Sequence, residues 1–313
     1  MHRTPWLGAG SPLVLAGAVA LGLLTTLGSP HLPSGPSRPP SIAPRVWKAT
    51  ADGEPTDVLV VLGEQADLST AATISSPEER RRYVYDVLRE TALRSQADLW
   101  AELDLAGVAY RPFYVTNMVA LKGGRDRLTR LAARPEVARI VANPRVHQTL
   151  PEPDDLQVQP QALAGLEWNV ERVQADEVWA LGYTGQGIVV AGQDTGYDWD
   201  HPALLSQYRG SQGITVTHDY NWHDAVHTDG SDCGGDSPYP CDDDGHGTHT
   251  MGTIVGDDGG ANRIGVAPGA QWIGCRNMEE GVGTPATYAE CFEFFLAPYP
   301  VGGDPFSQGA PSL

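Results

Sequence analysis

The chain has 313 residues, enough for one large domain or two smaller ones, and its 36 glycines and 25 prolines are typical of a soluble globular protein with many turns. The formal net charge of −18 argues against nucleic acid as the partner, because phosphates would be repelled. Residues 1–150 hold 17 Lys/Arg and 14 Asp/Glu, a net +3, whereas residues 151–313 hold 4 Arg and 25 Asp/Glu, a net −21. This division fits a solvated acidic surface and a pair of mutually attracting domains equally well.

The N-terminus is typical of an exported protein. An uncharged apolar run occupies 13–24, and no charged residue appears between Arg3 and Arg38. The run suits the core of a signal peptide and is short for a membrane span. No A-x-A cleavage site follows, so an uncleaved membrane anchor stays open as the alternative to secretion. We expect a signal peptide or N-terminal anchor at 1–28 and a linker at 29–56, which begins with a Pro/Ser-rich stretch.

Six predicted elements in the first half follow the order β-α-β-β-α-β. Apolar runs predict the strands, and apolar residues at helical spacing predict the helices. The strands are expected at 57–62, 108–113, 116–121 and 137–142, and the helices at 78–105 and 125–133. This order is that of the ferredoxin-like sandwich, an α+β fold. We assign it to residues 57–147 and expect the polar, Pro/Gln-rich residues 148–166 to be a second linker.

The second half, residues 167–313, alternates predicted strands and helices, which favours a parallel α/β sheet. A short helix is expected at 174–181, followed by a buried strand at 187–194 that ends in Asp194. A helix, a strand and a second helix are expected after the histidines of "GHGTHTMGTIVG", the last helix starting at "TP". Because α/β folds usually place their chemistry at the carboxyl ends of parallel strands, Asp194 is a candidate site residue.

The cysteines predict two disulfides. The four residues fit no zinc-binding spacing, and an even number in an exported chain is typical of a disulfide framework. Three connectivities are open. Local pairing, Cys233 with Cys241 and Cys275 with Cys291, is the simplest of them.

The stretch "DDDGHGTHT", residues 242–250, places two histidines behind three carboxylates. His246 stands at a glycine-flanked helix start, where an imidazole can act as a general base if a buried carboxylate orients its other nitrogen. Asp194, at a strand end upstream, is the natural carboxylate. Thr248 can hydrogen-bond locally at the start of the helix.

Two motifs in this half point to a family. "VVAGQDTGYDWDHPAL" and "DDDGHGTHTMGTIVG" resemble the Asp and His motifs of the subtilisin-like serine proteases, or subtilases, and they occur in that family's order, Asp before His. "GTPATYAECFEFFLAPYPVGGD" is similar to the bacillopeptidase F branch of the family. The first half resembles the inhibitory propeptide of such enzymes. The resemblance covers roughly residues 57–303.

The resemblance implies a secreted serine endopeptidase precursor that acts on proteins or peptides. Residues 167–313 would form an incomplete subtilisin-like parallel-sheet domain, in contact with the propeptide-like domain at 57–147. Asp194 would orient His246 and stabilise its imidazolium, and His246 would take the proton of a serine nucleophile. His249 would be structural.

The resemblance also implies how the propeptide would reach the site. Its last strand would deliver the segment after Arg145 toward the candidate base, so that cleavage would fall within 147–165. A small, fast-folding and mildly basic domain could also template the slower folding of its acidic partner.

The sequence departs from the family at two places. The family's nucleophilic serine lies roughly 150 residues after the histidine, whereas 67 residues follow His246 and none forms a G-T-S-M-A-like stretch. We therefore expect a chain truncated before the catalytic serine, which does not hydrolyse peptides at a useful rate by itself. Ala203 replaces the aspartate with which many subtilases bind calcium. The acidic loop "DCGGDSPYPCDDDG" offers other oxygen ligands for calcium, although a solvated loop is the simpler interpretation.

Two other functions stay open. A non-catalytic, protein-binding pseudo-protease fragment would retain protein contacts without hydrolysis. A metallohydrolase would use carboxylates and imidazoles as metal ligands, drawn from Asp194, Asp198, Asp200, His246 and His249. The protease pattern accounts better for these residues. Because the family's sheet continues past residue 300, we also expect poor solubility and exposed apolar surface at Phe292, Phe294 and Phe295.

Overall fold

A computed structural model describes residue 39 and residues 41–148, 165–228, 230–260 and 262–310. The predicted signal peptide or anchor at 1–28 and most of the predicted linker at 148–166 lie outside the described residues. Among the residues that are described, no helix combines the length and the apolarity that a membrane crossing requires.

The first half forms the predicted sandwich. Its elements are α1 (Pro44–Ala49), β1 (Thr56–Leu62), a 3-10 turn (Ser69–Thr73), α2 (Pro77–Leu105), β2 (Tyr110–Phe113), β3 (Met118–Gly123), α3 (Arg125–Ala132) and β4 (Val137–Ala142). The strands make an antiparallel sheet in the order β2-β3-β1-β4. The ferredoxin-like prediction is therefore confirmed. Helix α2 begins where Ser76 caps it, its hydroxyl accepting the Glu79 N–H at 3.3 Å.

Strand β1 is apolar at every position from 58 to 62 because both faces of the sheet are covered. Val58, Val60 and Leu62 pack against the two long helices of the sandwich in its main core. Leu59 and Val61 point to the other face and pack in a cluster that includes Ala289 of the second half. The sandwich thus uses its helix-free face to contact the rest of the chain.

Part of the range 29–56, predicted to be a linker, is folded against the sandwich. Helix α1 lies in this range, and Ile42 and Val46 are fully buried in the same core as β1. The main chain of Ile42 also forms a bridge with Ile140 of β4. The apolar side chains of this segment fill the end of the sandwich core, which its Pro-rich composition did not indicate.

The second half forms the predicted parallel α/β sheet. After β5 (Val146–His147), the last element of the first half, its elements are α4 (Trp168–Arg172), α5 (Ala175–Ala180), β6 (Val189–Asp194), β7 (Trp222–Asp224), α6 (His246–Val255), β8 (Gln271–Arg276), β9 (Met278–Glu279), β10 (Val282–Gly283), α7 (Pro285–Leu296) and α8 (Pro305–Gln308). The order β6-β8-β7 is parallel throughout. Strands β5, β10 and β9 form a separate antiparallel sheet.

Two burial predictions need correction. Ile188 and Val189 at the start of the predicted buried strand are 57% and 41% exposed, because β6 lies at the edge of the described parallel sheet. Phe292 is exposed as predicted, but the prediction is wrong for Phe294, which is fully buried against Tyr299. Helix α7 turns Phe294 inward because it lies on the face that packs on β7 and β8.

The disulfides follow the local pairing. Cys233 joins Cys241, and Cys275 joins Cys291. The second bond ties the central strand β8 to helix α7. It therefore fixes the helix that carries the contacts to the sandwich.

Candidate active site

Asp194 and His246 are brought together by a strand end and a helix start. Asp194 is the last residue of β6 and His246 is the first of α6. The two elements approach so closely that a Cβ at Gly247 would lie 2.0 Å from the Gly196 carbonyl oxygen. Only glycine fits at position 247, and this explains the glycine that follows the histidine.

The Asp194 carboxylate is buried and holds the imidazole from one side. Its Oδ1 lies 2.7 Å from His246 Nδ1. The same carboxylate accepts the Thr195 N–H at 2.8 Å and the Thr250 hydroxyl at 3.1 Å. These contacts fix the plane of the carboxylate and favour a proton on Nδ1, so Nε2 carries the lone pair of a candidate base.

An extended segment from the first half reaches this base. Strand β5 pairs antiparallel with β10, His147 opposite Val282, and the Gln148 N–H donates to the Gly281 carbonyl at 2.8 Å. The Gln148 side-chain Nε2 lies 2.8 Å from His246 Nε2, while its Oε1 is buried without a partner among the described residues. With the lone pair on the imidazole, the amide N–H donates to it. Sequence reasoning did not identify Gln148, which is 98 residues from its partner.

Residues 185–294 match the model of the subtilase family. These residues belong to the subtilase family. Bacillopeptidase F of Bacillus subtilis (strain 168) is 36% identical over 249 residues, which cover 75% of this chain and 17% of that protein. The major intracellular serine protease of Bacillus subtilis (strain 168) is 37% identical over 104 residues, covering 33% of this chain and 28% of that protein. The chain thus spans less than a third of either relative's length.

A solved structure supports the fold. A mutant of the epidermin leader peptide processing serine protease (EpiP) from Staphylococcus aureus superposes with a TM-score of 0.52 at 14% sequence identity. The match covers 77% of this chain and 47% of that chain. The family model and the two relatives, rather than this structure, confirm the subtilase resemblance inferred from the Asp and His motifs.

Asp242 organises the loop that leads into the helix of this subtilase region. Its Oδ1 accepts the Thr195 hydroxyl at 2.7 Å and the Gly245 N–H at 2.9 Å, and its Oδ2 accepts the Thr248 N–H at 2.8 Å. Burial raises the pKa of Asp242, but the hydrogen bonds from Thr248, Thr195 and Gly245 outweigh it and hold the pKa below its usual value. Asp242 thus connects the strand that ends in Asp194 with the helix that begins at His246.

The simpler interpretation predicted a solvated acidic loop, but the loop is only partly solvated. Asp243 is almost fully buried and lies 3.3 Å from the buried guanidinium of Arg276, while Asp244 is exposed. Two of the three carboxylates before Gly245 are therefore structural. The sequence signal that could have shown this is the position of Asp242 at the start of a helix.

The proposed metal ligands are not gathered around one point. Within the described ranges, no group of three or more His, Cys, Asp or Glu side chains is arranged to hold a metal ion. His249 lies exposed on α6. Asp198 and Asp200 adjoin each other, and burial together with the Asp200 hydrogen bond raises the pKa of Asp198. The geometry joins His246 to Asp194 instead.

Proposed function

We propose that residues 167–313 supply the aspartate, Asp194, and the histidine, His246, of the catalytic triad of a secreted subtilisin-like serine endopeptidase. The observation that carries the proposal is the 2.7 Å contact of His246 Nδ1 with Asp194 Oδ1 inside a subtilase-family segment. In this mechanism Nε2 removes the proton from a serine hydroxyl as its oxygen attacks the peptide carbonyl. Asp194 keeps the proton on Nδ1 and stabilises the imidazolium that forms. His246 then gives the proton to the leaving amine.

Residues 57–147 are the inhibitory propeptide in this proposal. Their C-terminal strand β5 extends beside β10 as an added strand, a common mode of peptide recognition. The chain then reaches Gln148, whose amide contacts the base. A peptide substrate would take the same path after this segment leaves. Processing would fall within 147–165.

The disulfides support secretion, and the signal peptide predicted from the sequence gives the route. The cysteines of the described residues are paired in disulfides, which persist in oxidising compartments. A signal peptide at 1–28 would direct export, and retention of its apolar run would anchor the protein to a membrane instead.

The second candidate is a non-catalytic, protein-binding pseudo-protease. One observation favours it: in the described part of the chain, the hydrogen-bond partner of Nε2 is the Gln148 amide and not a serine hydroxyl. Reading the coding DNA beyond codon 313 in all frames separates the two. A Gly-Thr-Ser motif roughly 150 residues after His246 would support the endopeptidase, and its absence from every frame would support the pseudo-protease.

A direct assay tests the peptidase proposal. The purified 313-residue chain is incubated with an unstructured protein substrate and with a fluorophosphonate probe for activated serines. We expect neither hydrolysis nor labelling from this chain. A longer chain that continues through the Gly-Thr-Ser motif should be labelled by the probe. Asp194→Asn and His246→Ala in that longer chain should each abolish the labelling. Hydrolysis that a chelator stops, and that persists in His246→Ala, would contradict the proposal.

A further inference from the structure

The sandwich inserts an arginine into a polar site on the second half. Arg111 of β2 donates to the Glu290 carboxylate of α7, which is only 2% exposed. A cavity of about 450 Å³ adjoins this contact, and it is lined among others by Arg111, His223, His227 and Asp236. Because the Glu290 carboxylate is buried, loss of its positively charged partner leaves a buried charge without compensation and is destabilising.

His227 stands between the two charges of this pair. Its Nδ1 lies 2.6 Å from Asp236 Oδ1, which places a proton on Nδ1. Its Nε2 lies 3.1 Å from Arg111 Nη1 and 3.1 Å from Glu290 Oε2. A neutral His227 accepts a hydrogen bond from Arg111 through Nε2. A protonated His227 donates from Nε2 to Glu290 and turns an N–H towards the Arg111 N–H.

We propose that His227 is a proton-operated switch in an arginine-binding site, in which a proton on Nε2 and the Arg111 guanidinium compete for Glu290. Protonation replaces an attractive contact of Arg111 by a repulsive one and gives Glu290 another donor. Acidification therefore loosens the docking of the sandwich on the second half. This inference goes beyond the peptidase proposal and depends on the fold alone.

The direction of the linkage follows from what changes when Arg111 leaves. The hydrogen bond to Glu290 raises the pKa of His227, whereas burial and the charge of Arg111 lower it. Undocking removes the positive charge of Arg111 from beside His227 Nε2, while Glu290 and Asp236 stay on the second half, and this change raises the pKa of His227 further. Protons are thus bound more tightly in the undocked state, so docking weakens as the pH falls through the His227 pKa.

The other titratable groups at the site respond differently. His223 Nε2 lies 3.2 Å from the Tyr299 hydroxyl and 2.6 Å from Glu290 Oε1, the oxygen that also accepts from Arg111. Burial opposes ionisation of Glu290, but the donors His223 and His227 and the charge of Arg111 hold its pKa at about 2. Burial raises the pKa of Glu293, one turn along α7, to about 8. Of the two histidines on Glu290, His227 is the one whose Nε2 also lies 3.1 Å from Arg111 Nη1, so its protonation acts directly on that contact.

Amide hydrogen exchange of the full chain tests the proposal. The N–H groups of Tyr114 and Val115 donate to Glu293 across the same interface and report its opening. After correction for intrinsic rates, we expect the ratio of wild-type protection to His227→Gln protection to fall about tenfold between pH 7.5 and 5.5, the size of one lost charge-assisted hydrogen bond. His227→Gln cannot be protonated at this position, and the ratio cancels the titration of Glu293, which both proteins share.

Two variants complete the design. Arg111→Gln should lower the protection at pH 7.5 about tenfold. The ratio of wild-type to Arg111→Gln protection should approach one at pH 5.5, which keeps the proposal testable if His227→Gln fails to fold. His249→Gln, at an exposed histidine on α6, should behave as the wild type. A ratio of wild-type to His227→Gln protection that is equal at both pH values would overturn the proposal. Unchanged protection of Val60 in the sandwich core confirms that each variant folds.

Discussion

The orientation of His246 depends on the charge of one carboxylate. Asparagine at position 194 presents either an N–H, which repels Nδ1–H, or a weaker oxygen acceptor, and it allows the wrong imidazole tautomer. We expect Asp194→Asn to remove the downfield imidazole N–H resonance of His246 in proton NMR. In an enzyme form that carries a nucleophile, kcat should fall about 10,000-fold. Asp244→Asn, at an exposed neighbour in the same loop, should change neither. An unchanged resonance in Asp194→Asn would contradict the assigned contact.

Asp242 stabilises the fold through its charge. Its pKa is depressed in the folded state, so its contribution is present above the usual value of 3.8 and is lost as the pH falls through the folded pKa. We expect Asp242→Asn to lower the free energy of unfolding at pH 7 by about 2 kcal/mol. The deficit should shrink at pH 3, as followed by urea denaturation at both pH values. Asp232→Asn serves as an exposed control, and an equal deficit at pH 3 would show that charge is not the cause.

The sequence identified the residues that a short motif contains and missed those defined by distant contacts. Asp194 and His246 could be chosen because each lies in its own recognisable stretch. Gln148 and Arg111 could not, because neither carries a local signal. Gln148 matters through a partner 98 residues away in the chain, and Arg111 through partners 116 and 179 residues away. Motifs encode local chemistry, whereas such contacts appear only after the chain has folded.

The Cys275–Cys291 disulfide ties β8 to α7 and closes a segment of 16 residues. In the chain-entropy description, a loop of this size is worth about 3 kcal/mol. We expect the double variant Cys275→Ala/Cys291→Ala to lose about this much stability in guanidinium denaturation. Cys233→Ala/Cys241→Ala, which opens the shorter loop of 8 residues, should lose about 2.5 kcal/mol. A loss below about 1 kcal/mol in the first variant would show that packing alone holds α7 in place.

Helices and strands were predictable where local signals were strong. The helix Pro77–Leu105 lies within a residue of its predicted start because proline, two glutamates and apolar spacing mark it together. Burial was less predictable. The run that ends in β6 reads as a buried strand, yet its start is exposed, since burial depends on which neighbours the sheet places beside it. Helix α1 was missed because six residues carry too little periodicity to distinguish a helix from a linker.

The fold of each half could be predicted, but the contact between the halves could not. Element order is enough for a ferredoxin-like sandwich, and alternating strands and helices are enough for a parallel sheet. Docking depends instead on single side chains that face each other across the interface. The division of charge, +3 against −21, is consistent with attraction, but it does not show that Arg111 meets Glu290 or that Glu293 meets the main chain of the turn after β2.

Glu293 makes the docking of the two halves sensitive to alkaline pH. Its buried carboxyl group accepts the N–H groups of Tyr114 and Val115, the second at 2.9 Å, and burial raises its pKa to about 8. The unfolded chain releases this proton near pH 4.5. The stabilisation by the protonated group is therefore complete below pH 4.5 and is lost as the pH rises through about 8.

We expect Glu293→Gln, a neutral analogue of the protonated acid, to remove this loss. The free energy of unfolding of Glu293→Gln minus that of the wild type should rise between pH 5 and 9 by up to about 4 kcal/mol, at about 1.36 kcal/mol per pKa unit. Taking this difference cancels the titration of groups that both proteins share, His227 included. Glu90→Gln, at an exposed position of α2, should give a flat difference. Parallel curves for Glu293→Gln and the wild type would mean that the two main-chain donors keep Glu293 ionised, and that docking is insensitive to alkali.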